Sequence, residues 1–488
     1  MAWEQFRHRD FTGGENKKLL PEGIAPNQVD SAVNCIINAD GTLSTRDGKT
    51  RINTTSLGAG PILGIWRFSK ESGSQYLVAQ HGTSLYASTW DGVNQIASFG
   101  AAIKTGLTAA TKLRGCVWKN RLFLTNGIDN FFSYNGTTCT DVPGAPPKFR
   151  NITVYGGRIW GIRADMPNVV QFSGLENPDT WDALDIIKVG DGDGDEITAL
   201  APQRNGLMIL KRTAIYPMFG RSLADIQLME PLTTQAGCVS VDGCITDGLF
   251  LGKDNIYRFD METVNPLSQT HSGYISALPI SLKQTAIFGI DPLNRRAVLS
   301  LGTGFDEALA IHADYGGAIT TWQGLGANCF AVASDKNDAG FMLFGDKTNG
   351  IIYRQAGADD DGTTITTLIK TSYQDYNVLE KKHFRCFETD MEIFNDVNYN
   401  VNFKVDVDFD RDSRGTTEIG VLAQGSFQEW GDAEWGQSYW GAPQNSLNKK
   451  FFFHALTGRR AAFTVTTNNR IRYMGHIVTY RRLNQWAN

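Results

Sequence analysis

The chain has 488 residues, a formal net charge of -5, 41% hydrophobic and 11% aromatic residues and 51 glycines, enough apolar material for two or three domains with real cores. No run approaches the roughly 18 apolar residues that a membrane-spanning helix needs, so membrane insertion is not expected. Seven cysteines, Cys35, Cys116, Cys139, Cys238, Cys244, Cys329 and Cys386, are scattered without a CxxC pair; they predict reduced structural thiols of a protein made in a cytosol, not a disulfide framework or zinc site.

The opening MAWEQFRHRDFTGGENKK lacks the hydrophobic core of a signal peptide, which predicts a chain not exported by that route. Residues 1–60 carry several turn signals and only short apolar runs. Such a segment cannot build its own core, and it is predicted to lie on another part of the protein as an extended arm or added strands.

From residue 61 a unit recurs: an apolar run, a short polar turn, then an aliphatic-aromatic pair. It ends on Tyr86, Phe132, Phe172, Tyr216, Tyr257 and Tyr353, with the first five about 40 to 46 residues apart and room for one further unit around EALAIHADYGGAITTW. A period near 40 with hairpin turns in each repeat is the signature of a β-propeller blade. The dipeptides His81-Gly82, Asn126-Gly127, Lys253-Asp254 and Asn349-Gly350 suit tight turns that need positive φ. A blade cannot bury both its faces alone, so the repeats predict a closed ring of six or seven blades over 61–355. A sandwich of irregular hairpins is the alternative.

Inside this region DGDGDE places Asp191, Asp193 and Asp195 as in the opening of a calcium loop, but Glu196 stands where the sharp bend needs glycine, and the bidentate acid that should close the loop is missing. The competing reading is a polar corner between strands. FSGLENPDTWDAL resembles the Asp-box turn of sialidase propellers with the wrong spacing.

QAGADDDGTT reads as a linker, and 356–488 changes character. From Val397 to Phe409 apolar residues alternate with Asn398, Asn400, Asn402, Lys404, Asp406 and Asp408, predicting a long strand with one wet face. Further strands are predicted at Lys382 to Phe394, Lys449 to Leu456, Arg460 to Thr467 and Arg470 to Arg482, together a small β-sandwich or sheet platform. Acidic residues crowd its first half, whereas after Glu434 the charges Lys449, Lys450, Arg459, Arg460, Arg470, Arg472, Arg481 and Arg482 are all basic. The split suits either solvated strand faces or complementary surfaces toward partners. Trp430, Trp435 and Trp440, five apart and each followed by glycine, fit neither strand nor helix periodicity and read as an aromatic loop for anchoring or sugar stacking.

HExxH, GxSxG and GxxxxGK[ST] are absent from the sequence, and its seven histidines lack metal-ligand spacing. Neither an enzyme nor a cofactor is expected. FTGGEN, followed by PEGIAPNQVDSAVNCIINADGTLSTRDG with its G-x-L-x-x-R-x-G turn, resembles the opening of bacteriophage virion proteins. The stretch from Phe172 to Gly220 is similar to the propeller core of phage tail nozzle proteins, also called tail tubular protein B or packaged-DNA stabilisation proteins. The resemblance covers about half of the chain. It implies a homohexameric part of a short-tailed phage, made in the host cytoplasm and resident in the virion. It would dock beneath a portal and adaptor (head-tail connector) ring, near tail fibres or spikes, and retain and then eject genome DNA through a channel without sequence-specific binding.

A conduit must hold DNA loosely, since each neutralised phosphate adds affinity. Asn398, Asn400, Asn402, Asp406 and Asp408 are therefore predicted to face the channel, and Arg459, Arg460, Arg470, Arg472, Arg481 and Arg482 to face protein partners. Two other classes stay open: a propeller glycosidase or depolymerase, needing paired carboxylates, and a sugar-binding propeller, needing equivalent pockets that the dissimilar blade turns disfavour.

Overall fold

The computed structural model describes residues 3–21, 23–144, 146–221, 225–246, 248–301, 305–376, 378, 380–394, 398–408, 412–421 and 446–483. Trp430, Trp435 and Trp440 lie outside these residues, as do Val397 and Phe409, the two ends of the alternating segment. The chain is all-β in character and divides into two units: one of residues 49–309 and 325–355, the other of 1–48, 310–324 and 356–488.

The first unit is a β-propeller. Among the described residues it has seven blades, six carrying successive antiparallel strands at Ile62–Ser69, Gln75–His81 and Ser84–Thr89; Arg114–Trp118 through Cys139–Asp141; Phe149–Tyr155 through Asn177–Lys188; Ile197–Gln203 through Gln227–Leu228; Cys244–Ile245 through Val264–Pro266; and Ile287–Asp291, Arg296–Ser300 and Glu307–His312. Blade 7 joins Ala327–Ser334, Gly340–Asp346 and Ile352–Gln355 to Lys49–Arg51, from the other end of the unit. The first strands of the blades neighbour one another in order, and the seventh returns to the first. A ring closed by pairing its two ends leaves no blade free to peel away.

The repeat seen in sequence is the third strand of each blade. Tyr86, Phe132, Phe172, Tyr216, Tyr257 and Tyr353 all lie there, and the inferred unit at Glu307 supplies the third strand of blade 6. Apolar side chains from adjacent blades meet in shared clusters. Phe68, Leu122 and Phe132 join blades 1 and 2, Trp160, Phe172 and Ile209 join blades 3 and 4, and Ile62, Leu343 and Ile352 join blades 7 and 1. Gly82, Gly127 and Gly350 adopt positive φ, whereas neither residue of Lys253-Asp254 does: there the Asp254 carboxylate accepts the Tyr257 hydroxyl at 2.8 Å instead.

The boundaries differ from those read along the sequence. Residues 49–60 belong to the propeller, because Lys49–Arg51 supplies its closing strand, and 310–324 leave it within the span assigned to blades. In the second unit the N-terminal segment is woven into the sheets of the C-terminal region. One sheet orders Ser446–Gly458, Lys382–Phe394, Arg470–Arg482, Leu43–Thr45 and Cys35–Ile37, with Glu4–His8 also paired to Arg470–Arg482. The other orders Ala318–Gln323, Gln28–Val33, Thr367–Thr371, Ala461–Thr467, Asn398–Val407 and Asp412–Val421. Phe11, Val29, Phe387, Val401, Phe403, Phe463 and Tyr473 pack in one core. The arm that lacks a core of its own thus contributes to this one.

Ile352 is fully buried at the closing blade. Ile352→Ala is expected to destabilise the propeller by about 2–5 kcal/mol through the cavity it leaves, read as a lowered urea midpoint of the full chain.

Candidate functional site

At the axis of the propeller lies a polar cluster that links several blades. A cavity of about 360 Å³ is lined by residues on or just before the first strands of several blades, among them Leu63, Lys112, Arg114, Thr153, Asp242 and Asn328. Arg114 of blade 2 reaches to Asp242, which precedes blade 5, with Nε to Oδ1 at 2.7 Å and Nη2 to Oδ2 at 3.0 Å. Burial opposes charge on both partners, but the attraction outweighs it: Asp242 lies below the usual carboxylate range and Arg114 above its ordinary value. Lys112 Nζ donates to the Asn328 carbonyl at 2.6 Å, linking blade 2 to blade 7. Glu196 accepts from both Arg150 and Arg212, linking blades 3 and 4. A two-point ion pair between blades 2 and 5 lies across the ring, so a nucleic-acid duplex has no path along this axis.

The DGDGDE turn is a polar corner. Asp193 takes both of its oxygens to the fully buried Lys211 ammonium, at 2.7 and 2.5 Å. Asp195 accepts the Thr213 amide and hydroxyl at 2.9 and 2.7 Å, and Asp191 lies 3.9 Å from Lys188. Two of the three carboxylates proposed for calcium are therefore committed to a buried ammonium and a neighbouring turn. Among the described residues no group of three or more His, Cys, Asp or Glu is placed to hold a metal ion. Burial pushes the Cys116, Cys238 and Cys329 thiols up to about 12, where little nucleophilic thiolate exists near neutral pH.

In the second unit the predicted alternation holds over part of its length. Val401, Phe403, Val405 and Val407 are buried, and Asn400, Asn402 and Lys404 are exposed. Asn398 begins the strand. Asp406 departs from the pattern: it is buried, accepts the Ser413 hydroxyl at 2.5 Å and pairs with Lys404 at 2.7 Å. Asp408 lies past the strand end at φ 47° and accepts the amides of Arg459 and Arg460 at 2.8 and 3.0 Å. Neither aspartate offers a free carboxylate to a channel, because each caps local structure.

The basic C-terminal residues are similarly engaged. Arg470 pairs with Asp47, Arg472 with Asp40 and with Glu392 at 3.5 Å, and Arg482 with Glu4 at 2.8 Å. Arg481 lies over the Trp3 ring at 5.3 Å. These four arginines, predicted to face partners, meet the N-terminal segment of their own chain, which carries the complementary acids. Arg459 is exposed and Arg460 half-buried.

Of the residues that carry the sequence resemblance, Phe11, Gly14, Glu15, Asn16, Arg46 and Gly48 are buried. Phe11 is fully covered; Glu15 accepts the Thr321 hydroxyl at 2.5 Å; Asn16 donates to the Gln28 side chain at 2.7 Å. Gly14, at φ 65°, would place a Cβ 2.7 Å from the Ile319 carbonyl oxygen. Arg46 is fully buried and bonds both oxygens of Asp360, at 2.9 and 2.6 Å, the Asn34 side chain at 3.0 Å, and the carbonyls of Asp47 and Gln323 at 3.0 and 2.6 Å. A Cβ on Gly48 would come 1.8 Å from the Asp359 carbonyl oxygen. Three stretches distant in sequence thus converge on one guanidinium. The G-x-L-x-x-R-x-G pattern held the signal for Arg46, whereas nothing local marks Arg114 and Asp242 as partners.

The class this defines is a seven-bladed β-propeller protein with a second β unit built from both chain ends. A scan against protein-family models and a search of curated proteins both find no match. Among solved structures the chain is similar to the Neurospora crassa Pan2 WD40 domain, at 10% identity and a TM-score of 0.40 over 64% of this chain and 96% of that one. The propeller assignment rests on the sheets described above.

Arg46→Ala is expected to cost about 3–5 kcal/mol by leaving Asp360 buried and unpaired, and Arg46→Met with Asp360→Leu to recover much of that loss. Chemical unfolding of the three proteins reads both effects. For Arg114 and Asp242, a double-mutant cycle is expected to give a coupling of about 0.5–3 kcal/mol. Because the Asp242 pKa is depressed, that coupling is present above the ordinary carboxylate pKa and is lost as pH falls through the depressed value.

Proposed function

We propose that this chain is a structural component of a short-tailed bacteriophage tail, of the tail nozzle or packaged-DNA stabilisation kind. It assembles as a homohexameric ring below the head-tail connector and confines, then releases, the genome. On this reading it is a virion protein without enzymatic activity or cofactor. The observation that carries the reading is where the family-like residues lie. Phe11, Gly14, Glu15, Asn16, Arg46 and Gly48 occupy the buried junction of the second unit, so the N-terminal part of the resemblance rests on residues that determine a fold. The axial ion pair of Arg114 and Asp242 adds a constraint: a DNA passage in such an assembly runs between copies, not through a propeller.

Light scattering and low-resolution imaging of the purified protein with its connector test the assembly, with a six-fold ring around a single channel expected. A monomer that stays monomeric with the connector present overturns it. Asn400 and Asn402 remain exposed candidates for a channel lining. Lysine at both is expected to preserve folding and slow genome release in a salt-dependent manner, since each added cation attracts phosphate; unchanged release kinetics at low salt would remove them from the channel.

A further inference from the structure

Strand Glu4–His8 lies against the later half of Arg470–Arg482, in register from Glu4 opposite Tyr480 to His8 opposite His476. Its outer end is held by an exposed ion pair of Arg482 with Glu4 at 2.8 Å and by a long, part-buried hydrogen bond from the Gln5 amide to the Thr479 hydroxyl at 3.4 Å. Contacts of that kind contribute little each. The inner end is built differently. His8 and His476 are both at least nine-tenths buried, with ring centroids 5.2 Å apart and planes at 83°.

Each ring spends one nitrogen and leaves the other idle. His8 Nε2 donates to the Pro26 carbonyl at 2.5 Å, which makes Nδ1 a bare lone pair, and Nδ1 meets no partner. His476 Nδ1 shares a hydrogen bond with the Tyr473 hydroxyl at 2.8 Å, while Nε2 meets none. On the far side of His476 stands Thr389, fully buried and with its hydroxyl also unpartnered. Phe11, Phe387 and Phe463 wall the pair at centroid distances of 4.8 to 6.3 Å.

Such a place accepts two neutral imidazoles and resists a charged one. Three charged groups stand near it. Asp10, on the same segment, is committed to the Thr12 amide and hydroxyl; Arg9 is paired with Asp390 from Lys382–Phe394 at 3.0 Å. Tyr473 is the titratable group presented by the partner strand besides His476. Burial holds both rings below the ordinary histidine value, His476 well below it with His8 as a second cause. The Pro26 carbonyl and Asp10 draw His8 part of the way back.

We propose that His8 and His476 form an acid-operated latch: the neutral pair keeps Glu4–His8 docked on the sheet, and a proton taken up from solvent releases that strand. Fully buried Phe11 anchors the chain beyond it, so the release stays local. The sign follows from linkage. A released ring titrates near 6.5 and a docked ring lower, so docking is at full strength above about pH 6.5. It weakens as pH falls toward the docked values, by up to about tenfold per pH unit per ring.

Hydrogen exchange of the full chain from pH 8 to pH 5, corrected for the intrinsic rate, tests the latch. Protection of residues 4–8 is expected to fall tenfold or more relative to Lys382–Phe394 in the natural sequence, and to stay level in His476→Phe, whose ring suits the same aromatic wall. His8→Gln, keeping a polar group near Pro26, is expected to flatten the response as well. Equal loss across both strands, a pH-independent profile, or an undiminished response in the variants overturns the proposal. Protection of residues 4–8 raised by added Zn²⁺ at pH 8 in the natural sequence alone would also overturn it, by assigning the idle nitrogens to a metal.

Discussion

A ring of blades is stable only when its two ends pair, and the strand that makes this happen is three residues long. Lys49–Arg51 lies beside Ile352–Gln355, so residues 300 positions apart in the sequence must meet before blade 7 is complete. Much of the chain's organisation follows from that closure. The N-terminal segment enters the propeller only at residue 49, and everything before it is free to serve the second unit. One residue upstream of that entry, Gly48 approaches the backbone of Asp359 so closely that no side chain fits.

Charge is used inward in this protein. The buried Arg46 and Lys211 each hold a carboxylate, Arg114 and Asp242 cross the propeller, and Arg470, Arg472 and Arg482 meet acids of the N-terminal segment. An ion pair removed from water costs desolvation and repays it only with good geometry. Its gain lies in directionality. Apolar blade interfaces tolerate small slips, whereas a two-point guanidinium-carboxylate contact fixes which strand sits opposite which.

How much was legible in the sequence follows from the range of the interactions involved. The blades were legible because each third strand repeats an aliphatic-aromatic pair at a near-constant interval, and Phe132, Phe172 and Tyr353 all lie on third strands and are buried. The strands Lys382–Phe394 and Arg470–Arg482 were legible from their own alternation. Asp406 was not, because its burial depends on Ser413 and the strand beside it. The calcium-like spacing of Asp191, Asp193 and Asp195 misleads in the same way: whether a carboxylate is open to an ion depends on Lys211, sixteen or more residues downstream in the chain but adjacent in space.

The sequence by itself determined the all-β class, the propeller repeat, the long platform strands and the lack of catalytic motifs, since local periodicity and residue type decide these. Only the tertiary structure decided that the blades number seven, that 310–324 leave the propeller, that the basic C-terminal strands turn to the N-terminal segment, and that His8 meets His476. Those outcomes depend on pairings between residues hundreds of positions apart. No local pattern encodes which distant strand will be the neighbour; packing and desolvation select it once the whole chain has folded.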